Sequence, residues 1–114
     1  MKKWILYIGA LVILASCSTQ KPLYTWDGYE AYSYKYLKDR DKESREQLME
    51  SYEKIINEQE GSRDTVPPGI MADYGFLLMQ ADQQKKGKKM LTKEVKYYPE
   101  SKVFIDRILK MIEQ

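Results

Sequence analysis

Three clusters of side chains in this sequence could carry chemistry, each of a different kind. Asp39, Asp41, Glu43 and Glu50 occupy positions 1, 3, 5 and 12 of a calcium loop, where hard oxygen donors surround the ion. Ser44 stands where such a loop needs glycine and Glu46 where it needs an apolar residue, so the cluster reads as a solvated acidic helix face and no metal is expected. Lys85, Lys86, Lys88, Lys89, Lys93 and Lys96 could meet anionic headgroups or an acidic partner, although most such runs are the wet side of a helix. Tyr24, Trp26, Tyr29, Tyr32, Tyr34 and Tyr36 crowd more rings into one short stretch than a single helix face can bury. Large rigid area with a polar handle is what binding hot spots use, so Trp26, Tyr29, Tyr32 and Tyr34 are the candidate partner-binding residues. The competing role for these rings is structural, compensating for a core poor in leucine.

The chain has no histidine and a single cysteine. Ser-His-Asp and Cys-His catalysis, zinc sites built on Cys or His, and an internal disulfide are therefore out of reach. No catalytic residue, cofactor or small-molecule substrate is expected. A carboxylate-only glycan hydrolase is the remaining enzymatic reading, and no cleft to hold its acid and base is visible in the sequence.

The single cysteine is explained by its neighbours. Lys2 and Lys3 give a basic start, Trp4 to Ala15 is an uncharged apolar run, and Leu14-Ala15-Ser16-Cys17 closes it. This is the pattern of a secretory signal, too short for an ordinary membrane span. The Leu-Ala-Ser-Cys order matches the bacterial lipobox, whose cysteine thiol is diacylated before cleavage and whose new amino group is then acylated. Residues 1–16 are thus read as a lipoprotein signal peptide, Cys17 as the lipidated first residue and residues 17–25 as a lipidated tether. Several acyl chains, at about 0.8 kcal/mol per buried methylene, make such an anchor permanent where one chain would not. Ser18 replaces the Asp that retains many lipoproteins in the inner membrane. The residues after it lack the acidic cluster that sends some to the cell exterior, so the expected location is the outer membrane, facing the periplasm.

Without Lys2 and Lys3 the chain carries 17 basic and 17 acidic side chains, a balance that argues against nucleic acid as a partner. Residues 26–114 form the expected single domain. Their apolar residues recur at helical spacing and nowhere alternate with period two for long, which predicts an all-α body of about five helices in antiparallel hairpins. The first runs from Asp27, with Glu30 completing a capping box, to about Lys38, and places Tyr29, Tyr32 and Tyr36 on one face. The second begins near Ser44, stripes Leu48, Met49, Tyr52, Ile55 and Ile56 on one side, and ends before Gly61. The third covers 68–81 with Pro68 as its first residue, and the fourth 84–98, closed by Pro99. The fifth starts at Ser101 and carries apolar residues on more than one face, so it is expected to be well packed.

Residues 68–101 resemble a tetratricopeptide repeat. Met71, Tyr74, Gly75, Leu78, Gly87, Leu91 and Pro99 fall at its large, small, aromatic or Leu, and helix-stopping positions, while Glu94 departs from the usual Ala. Gly75 and Gly87 each give up about 1 kcal/mol of helix propensity, which a close helix contact would return. The first two helices fit that register poorly, with bulky Tyr36 where glycine would fall, and read as a degenerate repeat; the alternative is a bundle of five helices without repeat geometry. More widely, the lipobox, Tyr24-Thr25-Trp26-Asp27-Gly28-Tyr29, Tyr36-Leu37-Lys38, Val66-Pro67-Pro68-Gly69, Tyr74-Gly75 and Tyr98-Pro99-Glu100-Ser101 resemble a family of small bacterial lipoproteins with a domain of unknown function. Such lipoproteins are often encoded beside a curli-secretion-type (CsgG-like) lipoprotein. The resemblance implies a non-catalytic protein-binding or assembly subunit of a cell-envelope complex, with an envelope lipoprotein as partner. The rival reading is an activator or adaptor for periplasmic cell-wall synthesis enzymes.

Overall fold

The structure, a computed structural model, describes residues 1–14 and 19–114. Helix α1 (Lys2–Leu14) is apolar after its two lysines, and no helix among the described residues is long and apolar enough to cross a membrane. The body is α2 (Tyr29–Asp39), α3 (Lys42–Asn57), α4 (Ile70–Gln80), α5 (Gln84–Tyr97) and α6 (Lys102–Ile112), with a 3-10 turn at Pro99–Ser101 leading into α6. There is no strand among the described residues. The all-helical expectation holds, and each body helix packs chiefly on its sequence neighbours.

Helix starts differ from the sequence reading because backbone geometry and partners distant in sequence replace the expected caps. Asp27 and Gly28 both take left-handed backbone angles, φ 40° and 70°, turning the chain sharply so that the Tyr29 N–H donates to the Trp26 carbonyl at 2.8 Å. Asp27 therefore does not cap α2. Its carbonyl accepts the hydroxyl of buried Ser51 at 3.0 Å, and its carboxylate lies 4.0 Å from the Lys54 ammonium. Helix α3 starts before Ser44, because the Asp41 carboxylate accepts the Ser44 N–H at 2.7 Å and Ser44 is itself buried. Pro68 lies ahead of α4, whose N-cap is Gly69 at φ 91°.

Helix α4 is the centre of the molecule. One side joins Leu48, Tyr52 and Ile55 of α3 through Met71, Tyr74 and Leu78, while Ala72 and Met79 join Leu91, Ile105 and Ile108 on the other. It meets α5 backbone to backbone: a Cβ added at Gly75 would lie 2.8 Å from the Gly87 carbonyl, and one at Gly87 would lie 2.6 Å from the Gly75 carbonyl and collide with the Met79 side chain. Such an approach leaves no room for any side chain at either position.

Two expectations need correction. The segment read as tether through residue 25 is fastened to the body from Pro22 onward: the Ser62 and Arg63 N–H groups donate to the Pro22 and Leu23 carbonyls at 2.9 and 3.2 Å. Thr25 and the Gln59 amide exchange hydrogen bonds of 2.7 and 2.9 Å. Gly61 serves this strap rather than ending α3, since a Cβ there would stand 2.5 Å from the Tyr24 Cα. Helix α6 is not packed on several faces; Ile105 and Ile108 are buried, but Val103, Phe104 and Met111 are 65%, 61% and 67% exposed. The last helix of a row has one neighbour, so only one stripe is covered.

Candidate binding groove

The α2 residues Tyr29, Ser33, Tyr36 and Leu37 recur at spacings that share one helix face, with Arg40 at the helix C-cap beside them, and Asp73, Phe76, Leu77 and Gln80 share a face on α4. With α3 between them, these faces become the walls of a groove of about 420 Å³, floored by Leu48 and Tyr52. Leu37 (65% exposed) and Phe76 (43%) offer unsatisfied apolar surface at its walls. Polar groups sit beside them: the Tyr29 hydroxyl lies 3.5 Å from Asp73 Oδ2. Surrounding protein atoms push the Asp73 carboxyl up, with the Tyr29 contact opposing, while burial and then the Asp73 charge push the Tyr29 phenol up. Burial first, and then neighbouring Tyr29 and Asp73, push the Tyr52 phenol far above its usual range, so it is a neutral hydroxyl on the groove floor. An apolar trough with a few fixed polar groups has the make-up of a ligand- or peptide-binding site.

Beneath the groove runs a row of rings. Tyr24 meets Trp26 edge-on at 6.1 Å, Trp26 meets Tyr29 at 6.0 Å, and Tyr29–Tyr52 and Tyr52–Tyr74 follow at 5.6 Å each. The Lys86 ammonium closes the row 5.6 Å from the Tyr74 ring centre and pairs with Glu53 at 3.1 Å, while the Tyr74 hydroxyl donates to the same carboxylate. Those two hydrogen bonds, Tyr74 first, hold the Glu53 carboxyl below its ordinary range.

The structure divides the four aromatic candidates instead of gathering them. Tyr29 lines the groove, half-buried. Trp26 is 46% exposed at the near end of the ring row. Tyr32 leans over Gly28 and borders a separate depression with Gln47, Glu50 and Lys54, and Tyr34, 69% exposed, lines neither. In the acidic cluster, Asp41 is committed to its cap and residues 42–50 are helical, so no loop exists there. Of the lysine run, Lys86 is tied to Glu53 and Lys88 to Glu113 at 3.4 Å.

The sequence reading named Glu94 only as a departure from the repeat and Leu37 only within the family resemblance, and it passed over Phe76. Phe76 is out of phase with Met71, Tyr74 and Leu78, and Leu37 is adjacent to inward-facing Tyr36; that mismatch was the available signal. Glu94 is fully buried on α5, where its Oε1 accepts the Gly69 N–H at 2.7 Å and its Oε2 has no protein partner. It supplies from another helix the cap that Gly69 lacks. Glu94→Ala, although it restores the small residue common in tetratricopeptide repeats, is therefore expected to destabilise the domain by about 1–3 kcal/mol in urea unfolding. Glu94→Gln, which keeps the acceptor, should cost less; an alanine variant at least as stable as the parent would remove the capping role.

Fold and groove together define an all-helical domain, carried behind a sequence that directs it to a membrane. Residues 1–18 match the prokaryotic membrane lipoprotein lipid attachment site, so the chain is a membrane-anchored lipoprotein. Residues 23–108 match the domain of unknown function (DUF4810), and the chain belongs to that family. No curated protein and no solved structure matches it. Ala15, Ser16 and Cys17 of the lipobox lie outside the described residues.

Proposed function

We propose that the chain, acylated at Cys17, is an outer-membrane lipoprotein facing the periplasm that acts as a non-catalytic protein-binding or assembly subunit of a cell-envelope complex. Its partner in this reading is a second envelope lipoprotein of the curli-secretion (CsgG-like) type. The groove between α2 and α4 carries the proposal, because Leu37 and Phe76 leave apolar area open beside fixed polar groups. A tetratricopeptide-like arrangement is supported by packing between sequence neighbours, by the Gly75–Gly87 contact and by the burial of Met71, Tyr74, Leu78 and Leu91. Glu94 is its departure from that pattern. Anchoring both proteins in one membrane raises their local concentration, so a modest interface suffices.

The test is capture from detergent-solubilised membranes with the acylated chain as bait. Leu37→Ser combined with Phe76→Ser should reduce recovery of the secretion-type lipoprotein at least about tenfold, two hot-spot side chains each contributing more than about 1 kcal/mol. Both positions are exposed enough that thermal stability should change little. Undiminished recovery would remove the groove from the interface. Recovery of a cell-wall synthase in place of the lipoprotein would replace the assembly role with an adaptor role.

A further inference from the structure

The anchor and the strap together fix which end of the body meets the bilayer. Only residues 18–21 separate Cys17 from strapped Pro22, and this link extends to roughly 17 Å at most. It cannot hold the strap far beyond the headgroups. Exposed apolar side chains stand at this end of the body among the polar residues of the strap and its loop. Leu23, in the strap itself, is 56% exposed, and Arg63 beside it leads into Asp64–Val66. Tyr97, 55% exposed, borders that loop, and the Tyr98 hydroxyl donates to the Val66 carbonyl at 2.5 Å. The chain then turns through Pro99–Ser101 into the first turn of α6, which exposes Val103 and Phe104.

From this we infer that Leu23, Tyr97, Val103 and Phe104 form a second membrane contact, resting in the headgroup and upper acyl region of the bilayer that holds the lipid anchor. Aromatic rings and short apolar side chains favour that depth, and an amphipathic helix end can lie there without spanning. The occupant is the lipid surface because the link is too short to leave room for a protein between strap and headgroups. Charge adds little: acidic and basic residues are mixed at this end, with Arg63 next to Asp64 in the chain and Lys102 paired with Asp106, so the contact depends weakly on anionic lipid. Helices α2 and α4 both run away from this end, which directs the Arg40 and Gln80 end of the groove away from the membrane.

This inference rests on acylation at Cys17, and the experiment separates the two. After signal cleavage Trp26 is the sole tryptophan of the chain. The mature acylated protein, as Trp26→Phe carrying Phe104→Trp, is reconstituted into phosphatidylethanolamine–phosphatidylglycerol vesicles containing brominated lipid, and flotation and tryptophan quenching are read together. The expected result is flotation with at least twofold quenching of Phe104→Trp and none of Tyr34→Trp in the same background, little changed when phosphatidylglycerol is halved. Adding Tyr97→Ser and Val103→Ser should abolish the quenching without affecting flotation. Flotation without quenching at position 104 overturns the contact and leaves the anchor standing. Loss of flotation overturns both, and intermolecular cross-linking of Phe104→Cys without quenching reassigns the face to a second copy of the chain.

Discussion

Cys17→Ser is expected to convert the protein from one that partitions wholly into detergent and incorporates palmitate into an unprocessed or soluble chain that does neither. The serine hydroxyl cannot form the thioether through which the diacylglyceryl group is attached, and cleavage at the lipobox depends on that attachment. Even with the signal retained, no helix among the described residues is long and apolar enough to cross a membrane, so nothing substitutes for the lost acyl chains. The surface around Phe104 is too small to hold the chain on the bilayer permanently once they are gone. Detergent-phase partitioning and radiolabelled palmitate measure the effect directly. Both unchanged in the variant would show that the attachment chemistry lies elsewhere.

The second large effect is at the α4–α5 crossing. Gly87→Leu is expected to destabilise the domain by about 3 kcal/mol, the upper end for overpacking, because the obstacle includes backbone as well as the Met79 side chain. Gly75→Leu should follow closely, its Cβ meeting the Gly87 carbonyl at 2.8 Å and Leu91 at 3.1 Å. For a domain of this size, 3 kcal/mol corresponds to a fall of roughly 12–24 °C in thermal midpoint, read by circular dichroism. The alanine variants separate the causes. In a free helix Gly→Ala gains up to about 1 kcal/mol, whereas here even one methyl group has no space and should lower the midpoint. A rise with alanine would mean that the two backbones do not touch.

Much of this architecture was legible because it is written at short range. The stripe of Leu48, Tyr52 and Ile55 follows from helical spacing, and the Gly75–Gly87 pair declared a close approach by giving up helix propensity at two separated points. The helix starts were less legible. A capping box at Asp27 and a helix start at Ser44 are sound local grammar, yet at Asp27 a left-handed turn fastened to Ser51 replaced the box, and ahead of Ser44 a better-placed Asp41 capped the helix. Of the groove only Tyr29 stood among the partner-binding candidates, because those followed rings in sequence while the groove draws residues from three helices.

The sequence by itself determined the anchor, the helical class and the inward stripes, since signal processing acts on an extended segment and helical periodicity repeats within a few residues. Tertiary structure alone decided that Pro22–Thr25 would be strapped to residues 59–63, a pairing across 34 residues between Thr25 and Gln59. It alone assigned Glu94 as the cap of a helix whose N-cap residue, Gly69, lies 25 residues before it. The same holds for the outward apolar residues of α2, α4 and α6. Whether the second face of a helix becomes core, groove or open surface depends on how many neighbours reach it, and neighbours are a property of the packed chain, which no local spacing encodes.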